Sequence, residues 1–332
     1  MNLILNDICT PKSSSLKLVN VLENGNYPVY GASGICGYLN DFQTEKEAIA
    51  IVKDGAGIGR VHLMFPKSSV LGTMQIIVPN KNVNAEYLYY LLQYMDLGST
   101  FDGATIPHIY FKNYSKKEIK QHAYEEQKKI SKELSKIDKL ILNKNNVLIT
   151  LDQLIKSRFI EMFGNKDYPI YKWLEVTKII NGKDYKKIPN INGTYPIYGS
   201  GGYMNLRCDQ YLCNENSTII GRKGNVTNPI FVKEKFWNVD TAFGIEVNEK
   251  LNPIYFYYHS LTVDLKSMVT GAAIPSMTKS ELQKLDIPIP PLEEQNRFAK
   301  FVELIDKSKF IVQKQIKELQ ELLDSKMDEY FR

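Results

Sequence analysis

The sequence predicts an α+β protein made of one tandem repeat. Two β-rich globular domains each lead into a long helix, and the two helices pair antiparallel as a coiled coil about a pseudo-twofold axis. Three observations predict this. An eight-residue phrase occurs twice, as YPVYGASG at Tyr27–Gly34 and YPIYGSGG at Tyr195–Gly202, 168 positions apart. The same offset relates landmark after landmark along the chain. Two segments free of Pro and Gly, one per half, carry apolar residues at alternating steps of four and three.

The offset is the strongest of the three. Tyr87 with Tyr89–Tyr90 meets Tyr255 with Tyr257–Tyr258, and GATIP at Gly103–Pro107 meets GAAIP at Gly271–Pro275. Glu125–Gln127 meets Glu293–Gln295, Ile137–Lys139 meets Ile305–Lys307, Thr73 meets Thr241, and Phe163 meets Phe331. An offset that holds without drift over so long a stretch marks a duplication filling the chain, not a solenoid of short units.

The first part of each copy is β-rich. AIAIVKDGAGIG (48–59), GTMQIIVP (72–79), STIIGRKGN (217–225) and TAFGIEV (241–247) are short β-branched runs bounded by glycines, which is the pattern of strands and turns. AEYLYYLLQYM and NPIYFYYHSL each predict a helix within that unit. In YPxYGxxG the proline presets φ and the glycines permit turns that a Cβ would block, so its retention in both copies points to fold maintenance.

The second part of each copy is helical. Ile130, Leu134, Ile137, Ile141, Lys144, Leu148, Leu151, Ile155, Arg158 and Met162 fall on a heptad seam. The second copy keeps the register with Phe298, Val302, Ile305, Lys309, Val312, Ile316, Leu319, Leu323, Lys326 and Tyr330. A helix of this length would measure about 55 Å at about 1.5 Å per residue. A stripe this narrow suits a partner helix better than a globular face, although each helix could instead lie on its own domain. The expected segments are a globular domain at 1–123, a helical spacer at 124–164, a second globular domain at 165–291 and a second spacer at 292–332.

Composition limits the function classes. With 332 residues, two or three domains fit. Hydrophobic residues at 43% and charged residues at 24% describe a packed protein, not a disordered one. No apolar run approaches a membrane span, and the start lacks the pattern of a secretory signal, so a cytoplasmic location is expected. Cys9, Cys36, Cys208 and Cys213 have no paired CxxC spacing, which argues against a zinc site or a disulfide frame. A net charge of +5 is compatible with nucleic acid without demanding it.

Two similar domains on antiparallel helices would sit at opposite ends of a stiff rod. Duplex DNA has local twofold axes, so an inverted pair of heads matches a bipartite target, and unlike heads match unlike half-sites. The doubled YPxYGxxG, the GAxIP loop, and IPIPPLEEQ (Ile287–Gln295) before a long helix resemble the specificity subunit of type I restriction-modification systems. The resemblance covers essentially the whole chain. It implies two target recognition domains, two helical spacers and no catalysis in this chain. It also implies double-stranded DNA and two methyltransferase subunits as partners, with restriction subunits for cleavage. S-adenosylmethionine, ATP and Mg would belong to those partners, and no cofactor to this chain. One departure stands out: the first copy reads KEIKQHAYEEQ (117–127), without the prolines Pro288, Pro290 and Pro291 of the second.

Other motifs carry less. DGAGIGR (Asp54–Arg60) could be a cofactor loop, but the stretch after it has the pattern of a strand, which predicts a hairpin turn. NPIF (Asn228–Phe231) and NPIY (Asn252–Tyr255) approach the NPPY-type motif that grips a flipped adenine, yet Ile230 and Ile254 replace its second proline, so both are expected to be turns. No P-loop, HExxH or nucleophile elbow occurs. His62, His108, His122 and His259 do not cluster by spacing. No catalytic or metal residue is expected.

Phosphate contacts need Lys, Arg or glycine amides, and base edges need bidentate or amide side chains on loops. The candidates are Lys53, Arg60, His62 and Lys67 in the first copy and Arg222, Lys223, Asn225 and Lys233 in the second, with Tyr30 and Tyr198 beside the repeated glycines. The charged positions differ between copies, as unlike half-sites require. The rival reading is a coiled-coil scaffold displaying two ligand-binding heads not directed at DNA.

Overall fold

The computed structural model describes residues 3–99, 101, 103, 107–120, 122–164, 166–268 and 276–332. The GATIP and GAAIP loops fall largely outside the described residues, at 104–106 and 271–275. The chain divides into two compact units, Met1–Asn146 with Gln313–Arg332, and Val147–Val312.

The first unit contains α1 (Leu5–Ile8), β1 (Cys9–Ser13), β2 (Tyr27–Gly31), β3 (Gly34–Leu39), β4 (Ala48–Val52), β5 (Val61–Met64), β6 (Ser69–Val70), β7 (Met74–Pro79), α2 (Ala85–Tyr94) and α3 (Phe111–Tyr114). It also holds the first half of α4 (Tyr124–Phe163). One sheet has the antiparallel order β1-β7-β4-β5, and a smaller one the order β3-β2-β6 with β2 and β6 parallel. Strand β4 is buried along its whole length because it divides two cores. Its period of two sends Ile49 and Ile51 to the core under α2, and Ala48, Ala50 and Val52 to the core under the smaller sheet. Helix α2 begins at Asn84, whose side chain accepts the Tyr87 amide at 2.8 Å.

The repeated phrase is a strand followed by a two-residue hairpin turn. Gly31 pairs with Gly34 around Ala32–Ser33, and Gly199 with Gly202 around Ser200–Gly201. Gly34 and Gly202 adopt φ of 109° and 110°, which other residues rarely reach.

The second unit contains β8 (Ile170–Lys172), α5 (Trp173–Val176), β9 (Thr177–Asn181), β10 (Tyr195–Gly199), β11 (Gly202–Cys208), β12 (Ser217–Gly221), β13 (Ile230–Val232), β14 (Trp237–Asn238), β15 (Ala242–Val247), α6 (Pro253–Ser260), α7 (Lys279–Gln283) and β16 (Asp286–Pro288). The last long helix, α8 (Leu292–Phe331), contributes its first half here. The strand orders β9-β15-β12-β13 and β11-β10-β14 reproduce those of the first unit, element for element. The short pair β8–β16 corresponds in the first unit to a single bridge, Ile4 with Glu118. One expectation needs correcting: NPIY is a helix start, not a free turn. Asn252 caps α6 by accepting the Ile254 amide at 2.9 Å, and Pro253 takes the first position, where its missing N–H costs nothing.

Helices α4 and α8 are each 40 residues long. Every seam position, Ile130, Leu134, Ile137, Ile141, Leu148, Leu151 and Ile155 on α4 and Val302, Ile305, Val312, Ile316, Leu319 and Leu323 on α8, is buried or half-buried. Their pairing is antiparallel within each unit. In the first, Tyr330 donates to Glu133 at 2.7 Å and Lys144 to Gln315 at 2.8 Å. In the second, Phe298 packs edge-on against Phe159 and Phe163, and Lys309 pairs with Asp152. Each basic break in the seam has a partner across it: Arg158 lies over the Phe301 ring at 5.9 Å, and Lys326 reaches Glu133 at 3.4 Å. The two expectations for the helices hold together, because the seam ends also enter the domain cores. Ile130 and Leu134 join Met327 and Phe331 beneath α2, while Phe159 and Phe163 join Val302 near Tyr255 of α6.

Candidate nucleic-acid interface

The Gly-rich stretch after β4 is a hairpin turn. Across it the Val52 amide donates to the Arg60 carbonyl at 2.9 Å and the Val52 carbonyl accepts the Gly59 amide at 2.8 Å, and β5 follows antiparallel. Folding brings this turn beside the repeated YGxxG turn, with Arg60 meeting Ala32 across 28 residues of sequence. The Arg60 guanidinium donates to the Ala32 carbonyl at 2.8 Å, and His62 Nε2 lies 3.3 Å from the same oxygen. A carbonyl only accepts, so Nε2 carries the proton. Burial pushes the His62 pKa down; the Ala32 hydrogen bond opposes this and the Arg60 charge adds to it. His62 is therefore a neutral hydrogen-bonding group beside a fixed cation. The second unit makes the same juxtaposition, with Ser200 of its YGxxG turn 3.6 Å from where a Cβ on Gly224 would stand.

The remaining candidates divide by environment. Tyr30 is in the core, its hydroxyl accepting the Phe65 amide at 3.1 Å and its pKa raised by burial. Lys53 is half-buried with Asp54 at 3.9 Å, and its carbonyl accepts the Ile109 amide. Lys67 is exposed, at φ 54°, 6.0 Å over the Phe42 ring. Arg222 lies 6.0 Å over the Phe243 ring and, with Lys223 and Lys279, edges a hollow of 340 Å³. The backbone of Lys223 forms an isolated antiparallel β-bridge with that of Ser276, as Asp54 does with His108 in the first unit. Asn225 accepts from the Asn228 amide at 3.0 Å. Tyr198 is half-buried against Phe236 and Tyr203. Lys233 points away from the turn, to Asp306 of α8 at 2.8 Å. The structure thus gathers Arg60 and His62 at one edge and Arg222, Lys223 and Asn225 at its counterpart, and engages Lys233 with the spacer helix.

Sequence reasoning missed Gln127 and Gln295. Each lies in the first turn of a long helix, is buried, and accepts a backbone amide from the N-cap of α2 or α6: Asn84 at 2.9 Å and Asn252 at 2.8 Å. The signal was present in the doubled EEQ, a polar residue kept at a position that becomes core. Among the described residues no group of His, Cys, Asp or Glu could hold a metal ion, and no helix is long and apolar enough to cross a membrane. The four cysteines are free thiols.

Residues 3–153 and 165–321 each match the family model described as type I restriction modification DNA specificity domain. Among curated relatives, the Type I restriction enzyme MjaVIII specificity subunit of Methanocaldococcus jannaschii is 25% identical over 192 residues, 53% of this chain and 45% of that one. The putative type I restriction enzyme specificity subunit S.HindORF215P of Haemophilus influenzae is 25% identical over 40% of this chain and 35% of its own. The chain thus spans less than half the length of these two. The MjaIX specificity subunit of M. jannaschii is 26% identical over 75% of this chain and 68% of its own. The crystal structure of a type I restriction-modification S subunit from M. genitalium shares the fold, with a TM-score of 0.67, 18% identity, and coverage of 100% of this chain and 96% of that one. With the matched domain present once in each half of a fold that repeats element for element, the chain belongs to the type I restriction modification DNA specificity domain family.

Proposed function

We propose that this chain is the non-catalytic DNA-specificity subunit of a type I restriction-modification complex, reading an asymmetric, bipartite target with one β-rich domain per half-site. One observation carries the reading. The two units share strand order, turns and helix lengths, and differ where charged side chains edge the Gly-rich turns, Arg60 and His62 against Arg222, Lys223 and Asn225. A common scaffold with unlike reading edges suits two unlike half-sites. The segments 1–123 and 165–291 would be the target recognition domains, and 124–164 and 292–332 the spacers that set the gap.

The spacers also suit partner docking. In the second unit Phe310 and Ile311 are exposed on α8 and line a hollow of 620 Å³ with Lys233, Glu303, Asp306 and Lys307. Apolar surface rimmed by charge is characteristic of interaction sites. Two methyltransferase subunits would dock on the helices, carry S-adenosylmethionine and receive the flipped adenine, since an enzyme working on a base takes it out of the stack. Restriction subunits would bring ATP and Mg. The complex would act on DNA in the cytoplasm.

The test is to purify the chain with its methyltransferase and map methylation by sequencing. One split, asymmetric motif is expected; a short continuous motif overturns the reading. DNA affinity of the complex should fall steeply with salt, and Arg60→Ala and Arg222→Ala should each flatten the log–log slope by about 0.9. Salt-independent binding would favour the scaffold reading.

A further inference from the structure

We infer that Gln127 and Gln295 are positioning residues that lock each reading domain to its spacer helix and so determine how strictly the gap between half-sites is measured. The inference rests on the bipartite reading above and extends it to two residues.

The geometry is duplicated. Gln127 Oε1 accepts the Asn84 amide at 2.9 Å, and its Nε2 donates to the His122 carbonyl at 3.0 Å. Gln295 Oε1 accepts the Asn252 amide at 2.8 Å, and its Nε2 donates to the carbonyls of Pro290 at 2.8 Å and Lys250 at 3.1 Å. The residues are 7% and 0% exposed. Each side chain joins three pieces of its unit: the spacer helix, the chain leading into it, and the cap of the domain helix packed beside it.

A buried amide is costly unless bonded, and an apolar residue would fill the same volume without that cost. What the glutamine adds is direction. The other directional contacts of α2 and α6 with the spacer helices run between side chains, Tyr90 to Asp138 at 2.7 Å, Tyr94 to Asp328 at 2.9 Å and Asn252 to Asn296 at 2.9 Å, and the rest of the packing is apolar or aromatic and tolerates small rotations. Hydrogen bonds at both ends of one amide group do not. A rotation of a few degrees at the clamp displaces the reading turns by an appreciable part of a base-pair step of about 3.4 Å. Bonds to backbone atoms also make the clamp independent of the side chains that differ between the domains. The same device can therefore serve two heads that read different bases.

The experiment uses the complex with its methyltransferase and a DNA panel that fixes both half-sites and varies the gap one base pair at a time. The wild-type profile comes first and tests the bipartite reading alone: no dependence on a gap sinks that reading before any variant is made. Gln127→Leu and Gln295→Leu are then compared with it. Losing a hydrogen bond is worth about 1 kcal/mol, so methylation at gaps one base pair too long or too short should rise about fivefold relative to the native gap. The half-site sequences should stay unchanged. An unaltered profile, or a uniform loss at every gap, overturns the inference, because a merely structural residue would give either result. Should the leucine variants not fold, Gln127→Met and Gln295→Met, which keep the unbranched shape and lose the hydrogen bonds, carry the same test with the same outcomes.

Discussion

The two long helices begin in different ways, and the difference shows what the duplication preserved. Before α8 the chain is rich in proline and its carbonyls serve as acceptors: Pro288 accepts the Tyr255 hydroxyl at 2.7 Å, and Pro290 accepts Gln295 at 2.8 Å. Before α4 there is no proline, and the Tyr87 hydroxyl, at the position equivalent to Tyr255, is buried without a hydrogen-bond partner among the described residues. Basic side chains act here instead. Lys120 and His122 stand where Pro288 and Pro290 stand in the other copy. Lys120 Nζ donates to the Glu329 carbonyl at 3.0 Å, and His122 Nε2 to that of Tyr330 at 2.9 Å. These carbonyls belong to the last turn of α8, where helices leave acceptors unpaired and welcome basic groups. One copy stiffens its lead-in with proline; the other ties its lead-in to the end of the opposite helix. The glutamine clamp is common to both.

The largest expected effect tests the core beneath each helix start. Phe298 is fully buried among Phe159, Phe163 and Tyr258, and its counterpart is the aliphatic Ile130. Phe298→Ala should cost about 3–5 kcal/mol and Ile130→Ala less, nearer about 2 kcal/mol. Urea unfolding measures both, and Trp173 and Trp237 report on the second unit. A larger loss at Ile130 would break the comparison.

Next is an acid sensitivity that α6 has and α2 lacks. His259 of α6 takes the place of Leu91 of α2. Burial pushes its pKa down to about 4, against the raising effect of the Asp286 carbonyl at 3.3 Å. The folded state therefore holds it neutral, while the unfolded chain protonates it below about 6.5. Its stability contribution is complete above that pH and is lost as pH falls towards 4, by up to about 3 kcal/mol. His259→Leu should flatten the stability–pH curve of the second unit over that window. An unchanged slope would show that other groups set it.

The smallest effect is the sharpest. Tyr255→Phe removes a bonded hydroxyl and should cost about 1 kcal/mol, whereas Tyr87→Phe removes an unbonded one and should be neutral or slightly stabilising. Equal costs, read from thermal unfolding of the two variants, would mean that the lead-ins do not differ as described.

Much of this architecture is legible in the sequence. The constant offset, the strand-and-turn reading of YPxYGxxG, the hairpin at Asp54–Arg60 and the heptad seams all depend on neighbours close in sequence. Backbone periodicity and turn chemistry act over a few residues, so one dimension carries them. NPIY carries two readings, the start of a helix in NPIYFYYHSL and a turn by its likeness to NPPY, because a proline after a capping residue starts a helix as readily as it makes a turn, and only the packing of Tyr255 and Phe256 decides. Lys233 looked like the other turn cations, yet its partner is Asp306, 73 residues away.

The sequence alone therefore determined that the protein is one fold written twice, with two long helices of matched length and register, because repetition and period are properties of the string. Tertiary structure alone decided which polar atoms meet: Arg60 with the Ala32 carbonyl, Gln127 and Gln295 with the caps of α2 and α6, Lys120 and His122 with the end of α8. A hydrogen bond is satisfied by distance and angle in space, and segments tens to hundreds of residues apart acquire these only when the sheets and helices have packed.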